Sequence, residues 1–444
     1  MKPKILAIVP GLIPSTIINV VTPVVDLHRS GRIIARVAME PYVSERDFEW
    51  CDLVILCRNT DPQTGPWFLQ LLRTNKPYIY DIDDNFFELP PDTLSGQYHT
   101  APERINLLKE YIRWADLVRV YSGPMAAQTK KFNENVVKLS GPVDWRLLSH
   151  PYKSTGKQAI KIVYPTSRVN DTLSDLFKPS LHLILEKYKD QIEVYFLGYN
   201  PPEFNTYPNV FYKPLTLNYE RFLHYFSGAG FDIGLAPLLN DIFHRSKTNI
   251  KVREYGACHI AGIYSDVDVY SASVIDRKTG LLVKNTSQAW FDAMSELIEN
   301  LELRNRIQEQ AYQFAQENFS HISFNQLWYQ QINKVLQQPR QKPEAYQAVL
   351  TLFRYGNPPN SHTPYLSKSR PNEWNQELPD ISRQVWLRNF LKEKTRRLMS
   401  GLRAEGLAYF VRTSGYYIET FWILTKIKLK LVFYTIKNSL GSST

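Results

Sequence analysis

Two successive series of short apolar runs constrain this chain more than anything else in it. The first is KILAIVP (4–10), RIIARVAM (32–39), CDLVILC (51–57), KPYIYDI (76–82), ADLVRVYS (115–122) and NVVKLSG (135–141). The second is IKIVYPTS (160–167), IEVYFLG (192–198), NVFYKP (209–214), FDIGLAP (231–237), HIAGIYS (259–265) and TGLLVKN (279–285). Each run is compact, rich in β-branched residues and apolar without alternation, which suits a parallel strand covered by helices on both faces. The stretches between them are long enough for crossover helices. WFDAMSELIENLELRNRIQEQAYQFAQENF (290–319) reads as two helices, and the polar, turn-rich PYKSTGKQAI (151–160) reads as a linker between the series. The expected fold class is therefore α/β: two Rossmann-like parallel-sheet domains, 1–150 and 151–335, facing a cleft. Ligands of such sheets bind beyond the carboxyl ends of the strands.

Composition agrees with folded domains: 43% of the 444 residues are hydrophobic and 22% charged. The three cysteines, Cys51, Cys57 and Cys258, have no metal-ligand spacing and read as small buried hydrophobes. With no disulfide framework, a reducing cytoplasm is the expected compartment. The opening MKPKILAIVPGLIP has the lysines of a secretion signal, but Pro10 to Pro14 interrupts its apolar stretch, so it reads as a first buried strand.

The charge is unevenly placed. Residues 381–444 hold twelve Lys/Arg against three acids, which is nine of the chain's ten net positive charges. Before them, 336–380 carries seven prolines between Pro339 and Pro379 and reads as an extended linker. In the basic tail, Leu387, Leu391, Leu398 and Leu402 share one helical face with basic residues around the rest. That is the pattern of an amphipathic helix on an anionic membrane surface. The aromatic YYIETFWILTKIKLKLVFYTIKN is broken by Glu419, Lys426, Lys428 and Lys430, so no spanning helix is expected. A tail that packs on the protein or self-associates is the alternative. Nucleic acid is not an expected partner, because no recognition motif accompanies the charge.

The stretch most able to carry chemistry is FDIGLAPLLNDIFHRSKTNIKVREYGACHIAGIYSD, Phe231 to Asp266. A buried strand ends at Pro237, and a loop follows with His244, Arg245, Ser246 and Lys247. A helix is then expected to start near Lys247–Asn249, with Thr248 or Asn249 as its N-cap. Unpaired N–H groups at a helix start attract phosphate, and cations strengthen that pull. Lys247 and Lys251, four apart, are expected on one helix face with Glu254 one turn on. Such a set would hold a diphosphate while a carboxylate reaches sugar hydroxyls; a solvated surface helix is the plain alternative. His244 is a candidate donor to a leaving diphosphate and Tyr270 a candidate lining residue. His28, on a first helix, reads as an ordinary surface or core histidine.

This stretch resembles the nucleotide-sugar-binding segment of GT-B glycosyltransferases of the family 4 type. The resemblance rests on Asp232, Gly234, Leu235 and Pro237 of a D-x-G-L-x-P strand end, then Glu254, Gly256 and Ala257 on the helix, and TGLLV from Thr279 to Val283. AYQFAQENFSHISFNQLWYQQI resembles the family's closing helices and IKIVYPTS its opening donor-domain strand. The resemblance covers about residues 1–335. It implies that Glu254 holds the ribose hydroxyls, that a nucleotide-diphosphate sugar is the donor substrate with no other cofactor, and that transfer is retaining. It also implies a basic residue after the opening strand, where Ser167 and Arg168 stand. Two departures matter. Ser246 occupies the place of the family's first glutamate, which makes Lys247 the local substitute, and CHIAG replaces the usual C-G-T-P.

The acidic YIYDIDDNFFELPPD (78–92) offers Asp81, Asp83 and Asp84 in a D-x-D pattern, the metal clamp of a different transferase class. That reading leaves the second strand series unexplained, so a strand-end loop or a cleft wall on the acceptor side is expected and no metal. The sequence thus points to a glycosyltransferase acting on a glycan or lipid-linked acceptor, peripheral on the cytoplasmic face of the cell membrane. Two rivals are a catalytically silent GT-B-like scaffold and a GT-B-fold nucleotide-sugar epimerase or hydrolase. The sequence offers no residue as catalytic base.

Overall fold

The computed structural model describes residues 1–11, 13–91, 93–149, 159–167, 172–214 and 218–339. Every apolar run of the two series contains a strand. In the first half these are β1 (Lys4–Val9), β2 (Ile34–Met39), β3 (Leu53–Cys57), β4 (Tyr78–Asp81), β5 (Leu117–Val120) and β6 (Val136–Lys138). In the second they are β7 (Ile160–Pro165), β8 (Ile192–Leu197), β9 (Val210–Lys213), β10 (Ile233–Ala236), β11 (Ala261–Ser265) and β12 (Leu281–Val283). All pairings are parallel, in the orders β2-β1-β3-β4-β5-β6 and β12-β11-β10-β7-β8-β9. Strands β3, β4, β5, β10 and β11 are buried at every residue, because helices cover both faces, and this is why their sequences do not alternate.

The strand orders fix where a ligand fits. The first sheet reverses direction between β1 and β3, and the second between β7 and β10. A crevice opens beyond the carboxyl ends at such switch points. Two small residues let the second one close tightly. A Cβ on Gly234 would stand 2.5 Å from the Tyr255 ring, and one on Gly256 would stand 2.6 Å from the Ala311 carbonyl. The helix Ile250–Ala257 therefore wedges between β10 and the helix Leu301–Asn318, with the Tyr255 hydroxyl donating to the Leu235 carbonyl at 2.7 Å.

Past that wedge, the CHIAG departure has a local consequence. His259 follows the helix with φ +54°, a left-handed conformation in which the chain closes a Schellman turn, His259 N to Gly256 O and Ile260 N to Tyr255 O. Glycine is the relaxed residue there; the histidine instead stacks its ring 3.8 Å from Tyr312.

The two helices expected over 290–319 are Ser287–Glu299 and Leu301–Asn318. A third, His321–Gln337, crosses back onto the first half, which its sequence position did not announce. Its Phe324 and Trp328 rings lie 4.7 and 5.1 Å from the Arg119 guanidinium on β5, and Asn325 donates to Asp26 at 3.2 Å. His28 lies on the helix Thr22–Arg29, where its Nδ1 accepts from the Ala35 amide, and all three cysteines are buried. Among the described residues no helix is long and apolar enough to cross a membrane. The linker at 151–158, Arg168, the proline-rich stretch from 340 and the basic tail lie outside the described residues.

Candidate functional site

On the second half, the site begins where β10 leaves its sheet. Leu238 N is held by the Ser265 hydroxyl at 2.9 Å, and a short helix, Ile242–Arg245, follows. Asp241 caps it, accepting from the His244 amide at 2.9 Å and pairing with His244 Nδ1 at 2.6 Å. These bonds hold the Asp241 carboxyl below its usual range, although partial burial pushes the other way. His244 is therefore tied back to its own turn. Arg245 turns the other way, donating to Asp268 at 2.6 and 2.9 Å.

The next helix starts at Ile250, with Asn249 at the N-cap position but no side chain capping it. Lys247 thus precedes the helix rather than sharing its face with Lys251. The Asn249 amide donates to Ser273, while its Oδ1 has no partner. Asn249 borders a cavity of about 300 Å³ that Ser122, Ser140, Ser273 and Phe324 also line, so the helix start opens onto space between the two halves. Lys251 reaches Glu254 at 3.4 Å; Glu254 is only 2% exposed and lies against Tyr219, whose phenol burial pushes well above its usual range. The neighbouring Arg253, fully buried, donates to the Pro142 carbonyl at 3.0 Å and to Thr248 at 2.9 Å. Of the remaining candidates, Ser167 is exposed just beyond β7. Tyr270 packs in the core, its ring 5.1 Å from that of Tyr264.

The first half answers with charge. Arg58 follows β3 directly, with φ +59°, an uncommon backbone for a long side chain. Its guanidinium meets Asp83 at 2.9 Å, Asp84 at 3.5 Å and the Ser15 hydroxyl at 3.0 Å. Burial works to lower the Arg58 pKa, yet the Asp83 and Asp84 charges hold it above the usual range. Asp81 at the end of β4 is fully buried against Arg119 at 2.8 Å and the Tyr121 hydroxyl at 3.0 Å. Burial nevertheless pushes its carboxyl up to about 6, against the pull of Arg119. The D-x-D acids therefore face cations of the chain itself, Asp81 on Arg119, Asp83 on Arg58 and Asp84 on Lys247. Among the described residues no cluster of His, Cys, Asp and Glu is arranged to hold a metal ion.

The two strand-end faces meet at Ser246 and Lys247. Lys247 Nζ lies 2.6 Å from Asp84 Oδ1, the Asn85 amide donates to the Ser246 hydroxyl at 3.2 Å, and the Ser122 hydroxyl donates to the Ser246 carbonyl at 2.8 Å. Phe243, from the second half, completes the apolar core of the first. Ser246 is thus sealed against first-half side chains and has no exposed surface. Sequence reasoning missed Arg58, Asn85, Arg119 and Ser122. The one signal available was a charged residue closing or interrupting an apolar strand, as in CDLVILCR and ADLVRV.

No protein-family model matches the chain, and no curated protein matches it either. Solved structures do. HepE of Anabaena, crystallised with UDP and glucose, superposes with a TM-score of 0.53 at 13% identity, covering 75% of this chain and 100% of that one. Sucrose-phosphate synthase from Thermosynechococcus elongatus gives 0.54 at 14% identity, covering 75% and 99%. A glycosyltransferase from Rickettsia africae gives 0.52 at 13%, covering 76% and 100%. At such identities the likeness is one of fold. The chain has the two-domain GT-B fold of these glycosyltransferases.

Proposed function

We propose that the protein is a glycosyltransferase that moves a sugar from a nucleotide-diphosphate donor to a glycan or lipid-linked acceptor, with retention of configuration and without a metal cofactor. The observation that carries the reading is the uncapped start of the helix Ile250–Ala257, at the switch point of the second sheet, with Lys247 before it and Lys251 and Glu254 on it. The helix start and the lysines would stabilise the charge that grows on the departing diphosphate, the task a divalent ion performs elsewhere. Glu254 would hold the ribose hydroxyls, and the acceptor would enter from the first-half strand ends around Arg58.

Thermal unfolding with UDP, GDP and ADP, each with Mg²⁺ or with EDTA, tests this reading in the wild type and in Glu254→Ala. The expected result is stabilisation by one nucleotide, indifferent to metal, worth ~2.7 kcal/mol at a hundred times its dissociation constant. Glu254→Ala should lose it. Stabilisation that requires Mg²⁺ and ignores Glu254 would return the acidic loop as the phosphate site. The anomeric configuration of the product, read by NMR, tests retention. The basic tail, 381–444, would dock the enzyme on the cytoplasmic face of the membrane. Its deletion should abolish co-sedimentation with anionic liposomes, and unchanged sedimentation would remove that role.

A second reading, a GT-B scaffold that turns over no donor, draws on the sealing of Ser246 by Asn85 and Ser122. It would be supported by a protein that binds no nucleotide.

A further inference from the structure

Lys247 stands just before the site helix, yet an anion already occupies it. Asp84 Oδ1 stands 2.6 Å from its ammonium, whose other side lies 4.0 Å from the centre of the Phe243 ring. The two residues come from opposite halves of the molecule. We propose that Asp84 is a specificity-determining residue: an internal counter-anion that a diphosphate must displace from Lys247, making donor binding an exchange of one anion for another. This inference rests on the donor-site reading above and adds to it the residue that sets how hard the site is to fill.

Three observations make the exchange workable. The pair is wet enough to open, its side chains being 19% and 23% exposed. Asp84 is not left alone when Lys247 departs, because its other oxygen already lies 3.5 Å from Arg58. Arg58 is itself anchored by Asp83 and Ser15 on a left-handed backbone, so the guanidinium is in place before any ligand arrives. Finally, the backbone beneath Lys247 does not need to move. Ser122 and Asn85 pin Ser246 from the first half, which leaves the lysine side chain to swing on a fixed base.

Charge decides the outcome of such a competition. A single carboxylate is a weaker counter-ion than a diphosphate that engages the helix N–H groups and Lys251 at the same time. An uncharged nucleoside has nothing to offer Lys247 and leaves the pair closed. Asp84 therefore lowers the affinity for every ligand that needs the lysine and none that does not.

Isothermal titration of UDP, GDP and ADP, with the matching nucleosides as uncharged controls, tests this in the wild type, Asp84→Asn, Lys247→Ala and the double variant. The nucleotide that binds the wild type should bind Asp84→Asn about fivefold tighter, the worth of one partly exposed ion pair. Its nucleoside should bind both alike, and the gain should vanish on the Lys247→Ala background. Asp84→Ser, which removes the charge and shortens the side chain, should reproduce the gain and guards against an effect peculiar to Asn. Unchanged or weaker binding to both Asp84 variants, with a wild type that binds, overturns the counter-anion and leaves the donor site standing. A wild type and an Asp84→Asn variant that both bind no nucleotide diphosphate overturn the donor-site reading itself, and the counter-anion with it.

Discussion

Asp81 ends β4 and Asp84 stands three residues on in the loop that follows, and both face a cation, but they differ in everything that matters for function. Asp81 and Arg119 are 0–1% exposed and belong to one half, walled in by Tyr121 and by the rings of Phe324 and Trp328 from the crossing helix. Asp84 and Lys247 are about one-fifth exposed and belong to opposite halves. A desolvated pair cannot trade partners, because neither charge has anywhere to go. A pair with water at its side exchanges at small cost. The same residue type, three positions apart, is therefore a fixture at one position and a candidate switch at the other, and burial makes the difference.

The largest test of that contrast is a third carboxyl of the first half, buried and, among the described residues, in no ion pair, although Arg104 exerts some pull on it. Glu40, at the end of β2, is 6% exposed and its Oε1 has no partner. Burial pushes its pKa from 4.5 up to about 8. The folded protein then keeps a proton between those values that the unfolded chain has released. Stability should fall as pH rises through that window, by about 5 kcal/mol in all, and level off above it. Glu40→Gln should remove that part of the slope, seen as a gap between the two proteins in urea unfolding that widens from pH 5 to pH 8. A constant gap would mean that Glu40 is solvated or paired.

Next in size is Arg119→Ala. It strands Asp81 in the interior and removes the cation that the rings of Tyr121, Phe324 and Trp328 surround at 4.4 to 5.1 Å, so a loss of about 3–5 kcal/mol is expected. Denaturant unfolding measures it, and a loss under about 1 kcal/mol would show that water reaches Asp81. Smallest is the stability effect of Asp84→Asn, under about 1 kcal/mol by the same measurement. A loss as large as that of Arg119→Ala would erase the distinction between the two pairs.

Much of the fold was legible in the order of the residues alone. Strands buried on both faces must be apolar throughout, which announced β3, β4, β5, β10 and β11; the other seven stood out as compact apolar runs, although β6 and β9 have no fully buried residue, and Gly234, Gly256 and Glu254 lay in a recognisable order along the chain. The site was legible only in part. Lys247, Lys251 and Glu254 stood out by spacing, but the helix begins at Ile250, so Lys247 projects from a loop toward Asp84 instead of along the helix. Arg58 carries only the pattern of a charge closing an apolar strand, and the contacts of Asn85 and Ser122 with Ser246 follow from no local pattern, since that partner lies far away in sequence. Tyr270 read as a candidate lining residue, and packing puts its side chain in the core.

What the sequence by itself determined is the pair of parallel sheets and the identity of the groups at their carboxyl ends, because periodicity, propensity and turn residues are local properties. Which of those groups are sealed and which remain exchangeable was decided only in three dimensions. The partners of Asp81, Asp84 and Ser246 come from another strand and from the other half, and the Arg119 that holds Asp81 is itself covered by a helix that crosses back from far along the chain. Desolvation depends on how many such surfaces close around a charge, and no stretch of sequence contains that number.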